Sequence, residues 1–123
     1  MMLRTPRKVR VPIYNGNMLH LAVGWTSTEL IAYLSRRGAP ASTMDFIETA
    51  EAAVVFDGPD VIIWIPRPYR IGHIVHESIH AGIRILASHG VRVDDNDEPV
   101  AYMCQWIAEE IHKEVKRQRR REI

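Results

Sequence analysis

The chain is nearly free of cysteine: Cys104 stands alone among 123 residues. A single thiol excludes an intrachain disulfide framework and a cysteine-only structural zinc site. Long apolar runs are missing too. The longest, such as Ala52–Phe56 and Val61–Ile65, stop at five residues, far short of the roughly 20 that a membrane-spanning helix needs. The basic opening MMLRTPRKVRVPIY lacks the apolar stretch and small-residue cleavage site of a signal peptide. A cytoplasmic protein without membrane contact is therefore expected. Internal repeats are absent, and the basic C-terminal stretch is the one segment of low complexity. With 46% hydrophobic and 25% charged residues, the composition excludes wholesale disorder. At this length one core is expected, and hence a single domain over 1–123.

A strong net charge is also lacking, since the formal value is +1. The average conceals an uneven distribution. Residues 1–12 and 113–123 hold ten of the sixteen Lys and Arg against two acids, whereas the rest holds six bases against thirteen acids. The chain is an acidic body with basic flanks at about 1–10 and 113–123.

Local signals divide this body into an α+β pattern. Lys8 to Val23 reads as a β-hairpin around Asn15-Gly16, a pair that tolerates the positive φ of a type I′ turn. Pro12 lacks an N–H and marks its strand as an edge. Thr26-Ser27-Thr28-Glu29 offers a capping box for a helix from about Ser27 to Arg37, stopped at Gly38. Residues 41–50 fit either a short helix or a loop. A second hairpin pairs Ala52–Phe56 with Val61–Ile65 across Asp57-Gly58-Pro59-Asp60. A helix from about Tyr69 or Arg70 to His89 ends at Gly90, and a polar loop, Arg92–Asn96, leads into another from about Asp97 to Arg119. Pro99 suits the first turn of that last helix.

Chemistry concentrates in His76-Glu77-Ser78-Ile79-His80. Residues four apart share a helix face, so both imidazoles can reach one metal ion. Zinc suits neutral imidazole nitrogens, and catalytic zinc sites use three protein ligands with a fourth position open. Glu77, one step around the helix, is placed to take a proton from water and return it to a leaving amine. Six His and nine Glu produce this pattern by chance in roughly two per cent of shuffled sequences. Ile74, Val75, Ile79, Ile83 and Leu86 surround it with apolar character, which argues against a merely solvated helix.

A third ligand is available in Glu98, eighteen residues after His80 and at the start of the next helix. An antiparallel helix pair would bring it beside the histidines. The HExxH motif followed by a glutamate-bearing helix resembles the gluzincin metallopeptidases of the zincin family. The wording IVHESIHA and DNDEPVAYMCQWIAEEIHK is similar to very small zincin-like proteins of phages and prophages. The resemblance covers roughly residues 50–115. It implies a compact zincin-like fold, with His76, His80 and Glu98 binding Zn²⁺ and Glu77 activating a zinc-bound water against a peptide bond. It also implies that the strand before the motif helix, Val61–Ile65, is an edge that pairs with an extended peptide substrate. Larger gluzincins often carry an aspartate one turn after the glutamate ligand; here Tyr102 stands there, as an oxyanion donor or as an amphipathic core residue. The alternative reading is a non-catalytic zincin-fold binding or assembly module of a phage or prophage, with zinc structural or absent.

Other candidates are weaker. His73 lies one turn before His76, but three ligands on one straight helix span about 10 Å and cannot converge. His89 has the wrong spacing for a metzincin ligand, and His20 and His112 read as incidental. Asp94, Asp95, Asn96 and Asp97 lack the spacing of a calcium loop. Cys104 reads as a small buried hydrophobe. The basic C-terminal run reads first as a solvated helix end, and nucleic acid is a minor candidate partner beside a peptide or protein substrate.

Overall fold

The computed structural model describes residues 4–14, 16–94 and 97–122. Eight elements follow in order: β1 (Arg7–Arg10), β2 (Met18–Val23), α1 (Ser27–Arg36), α2 (Ala41–Thr49), β3 (Ala53–Asp57), β4 (Asp60–Ile65), α3 (Ile71–Ser88) and α4 (Glu98–Arg121). The α+β class expected from the local signals is found. The strands form one mixed sheet in the order β1-β2-β4-β3. β1 and β3 run antiparallel to their neighbours, and the central pair, β2 and β4, is parallel.

Side-chain alternation explains the layers. Leu19, Leu21 and Val23 of β2 join Val61, Ile63 and Ile65 of β4 in a core with Ile85, Leu86, Ile107 and Ile111 from α3 and α4. Ala22, Ile62 and Trp64 point the other way, toward Leu30, Leu34 and Ile47 of α1 and α2. Strands covered on both faces read as continuous apolar runs, and β4 (DVIIWI) is such a run. Trp64 Nε1 donates to the Trp25 carbonyl at 2.9 Å, tying β4 to the start of α1.

Helix ends follow their local chemistry. The Thr26–Glu29 capping box forms, with both reciprocal bonds present. Gly38 and Gly90 take the left-handed φ (84° and 80°) that lets a helix stop without a Cβ clash. The 41–50 segment resolves as helix over Ala41–Thr49.

Two strand expectations need correction. The first hairpin exists, but β1 ends at Arg10 and β2 starts at Met18, so its connection is longer than a two-residue turn. Val11 N donates across that connection to Asn17 O at 3.3 Å, while Asn15 lies outside the described residues. More consequentially, Val61–Ile65 is not an edge. It lies between β2 and β3, and the edge on that side is β3. Its burial on both faces is the physical reason, since a strand this apolar gains most where helices cover both sides.

One buried polar network was not anticipated. His20 of β2 is 3% exposed; its Nδ1 lies 2.8 Å from the Tyr33 hydroxyl and its Nε2 lies 3.2 Å from Asp60 Oδ1. Arg37 closes the circle, donating to Asp60 (2.6 Å), Asp57 (2.8 Å) and the Tyr33 hydroxyl (3.2 Å). Burial pushes the His20 pKa below its ordinary 6.5, and the positive charges of Arg37 and Lys8 add to this while Asp60 opposes it. Asp60 is partly buried, which alone would raise its pKa, but hydrogen bonds with Arg37 and His20 outweigh that and lower it.

Both shifts have the same consequence. A depressed folded-state pKa means that the unfolded chain binds the proton more readily, so the stabilisation is complete above the unfolded value and fades as pH falls. His20 should cost stability as pH drops below 6.5, and Asp60 should add to the loss at still lower pH. Urea unfolding at about pH 7 and pH 5 should show this decline, and a His20→Gln variant should show a smaller one. Equal declines in both chains would remove His20 as the cause.

Candidate metal site and cleft

α3 presents three different stripes, each set by residues three or four apart. Ile74, Glu77, Ser78, Ala81, Gly82, Ile85 and Leu86 are buried. Ile71, Val75, Ile79 and Ile83 are exposed, so the apolar character expected around the motif is only partly used for packing. Between these, His73, His76, His80 and Arg84 line a cleft of about 680 Å³. Its opposite wall is built from Phe46, Glu51, Val54 and Phe56, from α2, β3 and the segment between them. The strand along the cleft is thus the edge strand β3, in place of Val61–Ile65.

The motif residues converge. His76 Nε2 and His80 Nε2 are 3.1 Å apart, their rings edge to face with centroids 4.7 Å apart. Both imidazoles are exposed, and at this separation one ring nitrogen is within hydrogen-bond reach of the other. Glu77 lines the same cleft yet is only 7% exposed. Burial raises its carboxyl pKa above the ordinary value, while attraction to His76, His80 and His73 works in the opposite direction. At the cleft margins, His73 Nε2 lies 3.3 Å from Glu51 Oε2, and the Arg84 guanidinium stacks 4.1 Å over the Phe56 ring.

Glu98 and Tyr102 are elsewhere. A Cβ on Gly82 would touch Cys104, so these two residues mark where α3 and α4 meet. Glu98 lies six residues before Cys104, about 9 Å along the axis. With α4 running back along α3, that places it near the C-terminal end of α3 and away from His80. Among the described residues, no group of three His, Cys, Asp or Glu is placed to hold a metal ion. The expected set of His76, His80 and Glu98 is therefore not assembled here. Tyr102 is 68% exposed and lines a second cleft with Pro12, Ile13, Tyr14, Pro99, Met103 and Trp106. The two clefts share no lining residue. The reason is helix register: a tight contact at Gly82 fixes α4 so that its first turn passes the far end of α3.

The remaining histidines have ordinary surroundings or the network already described. His89 Nε2 lies 2.6 Å from Asn17 Oδ1, and its ring meets Tyr14. Of the acidic loop, Asp94 pairs with Arg92 at 3.2 Å, and Asp95 and Asn96 lie outside the described residues. No helix among the described residues is long and apolar enough to cross a membrane. In comparisons with protein-family models, curated proteins and solved structures, the chain matches none.

The donor pair itself suits zinc. Tetrahedral zinc with Zn–N bonds of about 2.0–2.1 Å separates two ligand nitrogens by about 3.3–3.4 Å. The observed 3.1 Å is within a few tenths of that separation. The chemistry of the pair fits; the third protein donor is not beside it.

Proposed function

We propose that the chain is a zinc-dependent peptide hydrolase of zincin type, with His76 and His80 holding Zn²⁺ and Glu77 as the general base. The observation that carries this reading is the convergence of the two Nε2 atoms to 3.1 Å beside a buried carboxyl in an open cleft. A zinc ion held there supplies Lewis-acid polarisation of a carbonyl group. Glu77 does the proton work: it accepts a proton from the attacking water and returns it to the leaving amine. Its raised pKa brings it nearer the range in which one carboxyl can do both. The wall formed by β3 gives an extended peptide a place to lie, and its main chain can meet the unpaired side of that strand.

The separation of Glu98 from the histidine pair favours the second reading, a zincin-like binding or assembly module without hydrolysis. One experiment divides them. Zinc-supplemented protein is incubated with a broad peptide library, and products are followed by mass spectrometry. Cleavage that stops on chelation supports the hydrolase. Stoichiometric zinc without any cleavage supports the module.

A further inference from the structure

The histidine cleft carries opposite charges at its two ends. Near the start of α3, His73 Nε2 lies 3.3 Å from Glu51 Oε2. One turn beyond His80, the Arg84 guanidinium lies 4.1 Å from the centre of the Phe56 ring. β3 therefore runs in the same direction as α3, since Glu51 precedes that strand and Phe56 lies near its end. His73 and Arg84 are separated by about 16 Å along the helix axis. The histidine pair stands between them.

Arg84 is the cation of this cleft, and no acid answers it. Among the described residues its guanidinium makes no ion pair or hydrogen bond; its contact is the Phe56 ring. Acids are not scarce, because residues 13–112 hold thirteen of them against six bases. Arg37, Arg67 and Arg92 each pair with one. Arg36 and Arg70 do not, but neither lines the cleft. Of the two carboxyls that do, Glu51 faces His73 and Glu77 is buried beside the histidines. Contact with an aromatic ring holds a guanidinium in place. It leaves the planar set of N–H donors for an oxygen acceptor from outside.

We infer that Arg84 determines specificity, taking a carboxylate of the peptide that lies along β3. This rests on the reading of the cleft as a peptide site and names the class of peptide it takes. Arg84 lies about 9 Å along the helix from the middle of the histidine pair. An extended chain advances about 3.3 Å per residue, which places the carboxylate roughly two or three residues from the bond that is cut. An acidic side chain and a free C-terminus both present that group. At such a distance the contact is the same in the bound substrate and the transition state. Its contribution therefore falls on KM and leaves kcat nearly unchanged.

The test measures binding apart from cleavage. Labelled, acetylated peptides of Ala, Val and Thr carry Glu, Gln, Lys or phosphoserine at each position in turn, and end in a free acid or an amide. Fluorescence anisotropy gives their affinity for the full-length Glu77→Gln chain, with and without Zn²⁺. A carboxylate at the matching position should tighten binding about tenfold over the neutral amide. Arg84→Met keeps the stem over Phe56 and should erase that advantage while leaving the neutral peptide unaffected. Arg84→Glu should turn the preference toward Lys, a reversal that a purely packing role would not produce. Arg84 is exposed, and circular dichroism checks that each variant is folded. An advantage in amidated Glu peptides assigns the carboxylate to a side chain; one confined to free acids assigns it to the C-terminus. Absence of any carboxylate advantage, its persistence in Arg84→Met, or a gain confined to phosphoserine would overturn the proposal. Glu77 is then restored and the same peptides are offered to the parent chain. Binding through Arg84 without cleavage would sink the hydrolase reading and leave the carboxylate site standing. Where cleavage occurs, Arg84→Met should raise KM about tenfold for the acidic peptide with kcat little changed.

Discussion

Replacing Glu77 with Gln should lower peptide hydrolysis by about 10²–10⁴-fold, the range that a positioned acid–base group contributes, while zinc content stays unchanged. The amide keeps the size and polarity of the side chain but cannot carry the proton. Glu77 belongs to the buried stripe of α3 yet opens into the cleft, so its environment and its reach are both set by the helix. The substitution also removes a desolvated acid, so the variant should fold at least as well as the parent. Turnover is measured on a cleaved peptide from the library, beside metal analysis of the same sample. A variant with parental turnover would remove Glu77 from the chemistry. Loss of zinc together with turnover would instead make Glu77 part of the metal's support.

The second large effect is expected at the helix interface. A Cβ at Gly82 would lie 2.7 Å from Cys104 Sγ and 3.4 Å from Cys104 N. Gly82→Val should therefore force α3 and α4 apart and cost about 1–3 kcal/mol in urea unfolding, as overpacking does in cores. The small helix-propensity gain over glycine offsets only a few tenths of this. Adding Cys104→Ala removes the nearer obstacle and should recover part of the loss, giving a measurable coupling between the two sites. Gly82→Val with parental stability would mean that the helices do not meet at this register. That register matters beyond stability, because it also separates Glu98 and Tyr102 from the histidines.

The sequence made local features legible and left relative positions hidden. The capping box at Thr26 and Glu29, the stop at Gly90 and the hairpin around Gly58-Pro59 depend on neighbours within a few residues, and they were readable. The HExxH pair is of the same kind: residues 76 and 80 share a face on any regular helix. The place of Glu98 depends instead on how two helices slide past each other, which is fixed by the contact between Gly82 and Cys104. Nothing in the eighteen-residue spacing encodes that contact. The position of Val61–Ile65 depends on its parallel pairing with β2, some forty residues earlier, and its continuous apolar run was the signal for a central strand.

His20 shows a missed signal of another sort. It alternates with Leu19, Leu21 and Val23 in a strand buried on both faces, so a polar partner had to be nearby. Its partners, Tyr33 and Asp60, come from two other elements, and their choice is a product of the fold. The flanks follow the same logic. Their charge was countable at once, but the approach of Arg7 and Arg117 to Glu114 required the pairing of β1 with β2 and the docking of α4.

Metal stoichiometry decides whether His76 and His80 together hold a zinc ion. Protein stripped by chelator, dialysed against Zn²⁺ and analysed by mass spectrometry should retain about one ion per chain. His76→Ala and His80→Ala should each fall close to zero, with the fold intact by circular dichroism because both side chains are exposed. Parental protein that retains no stoichiometric zinc, or full retention in both variants, would rule out zinc held by this pair.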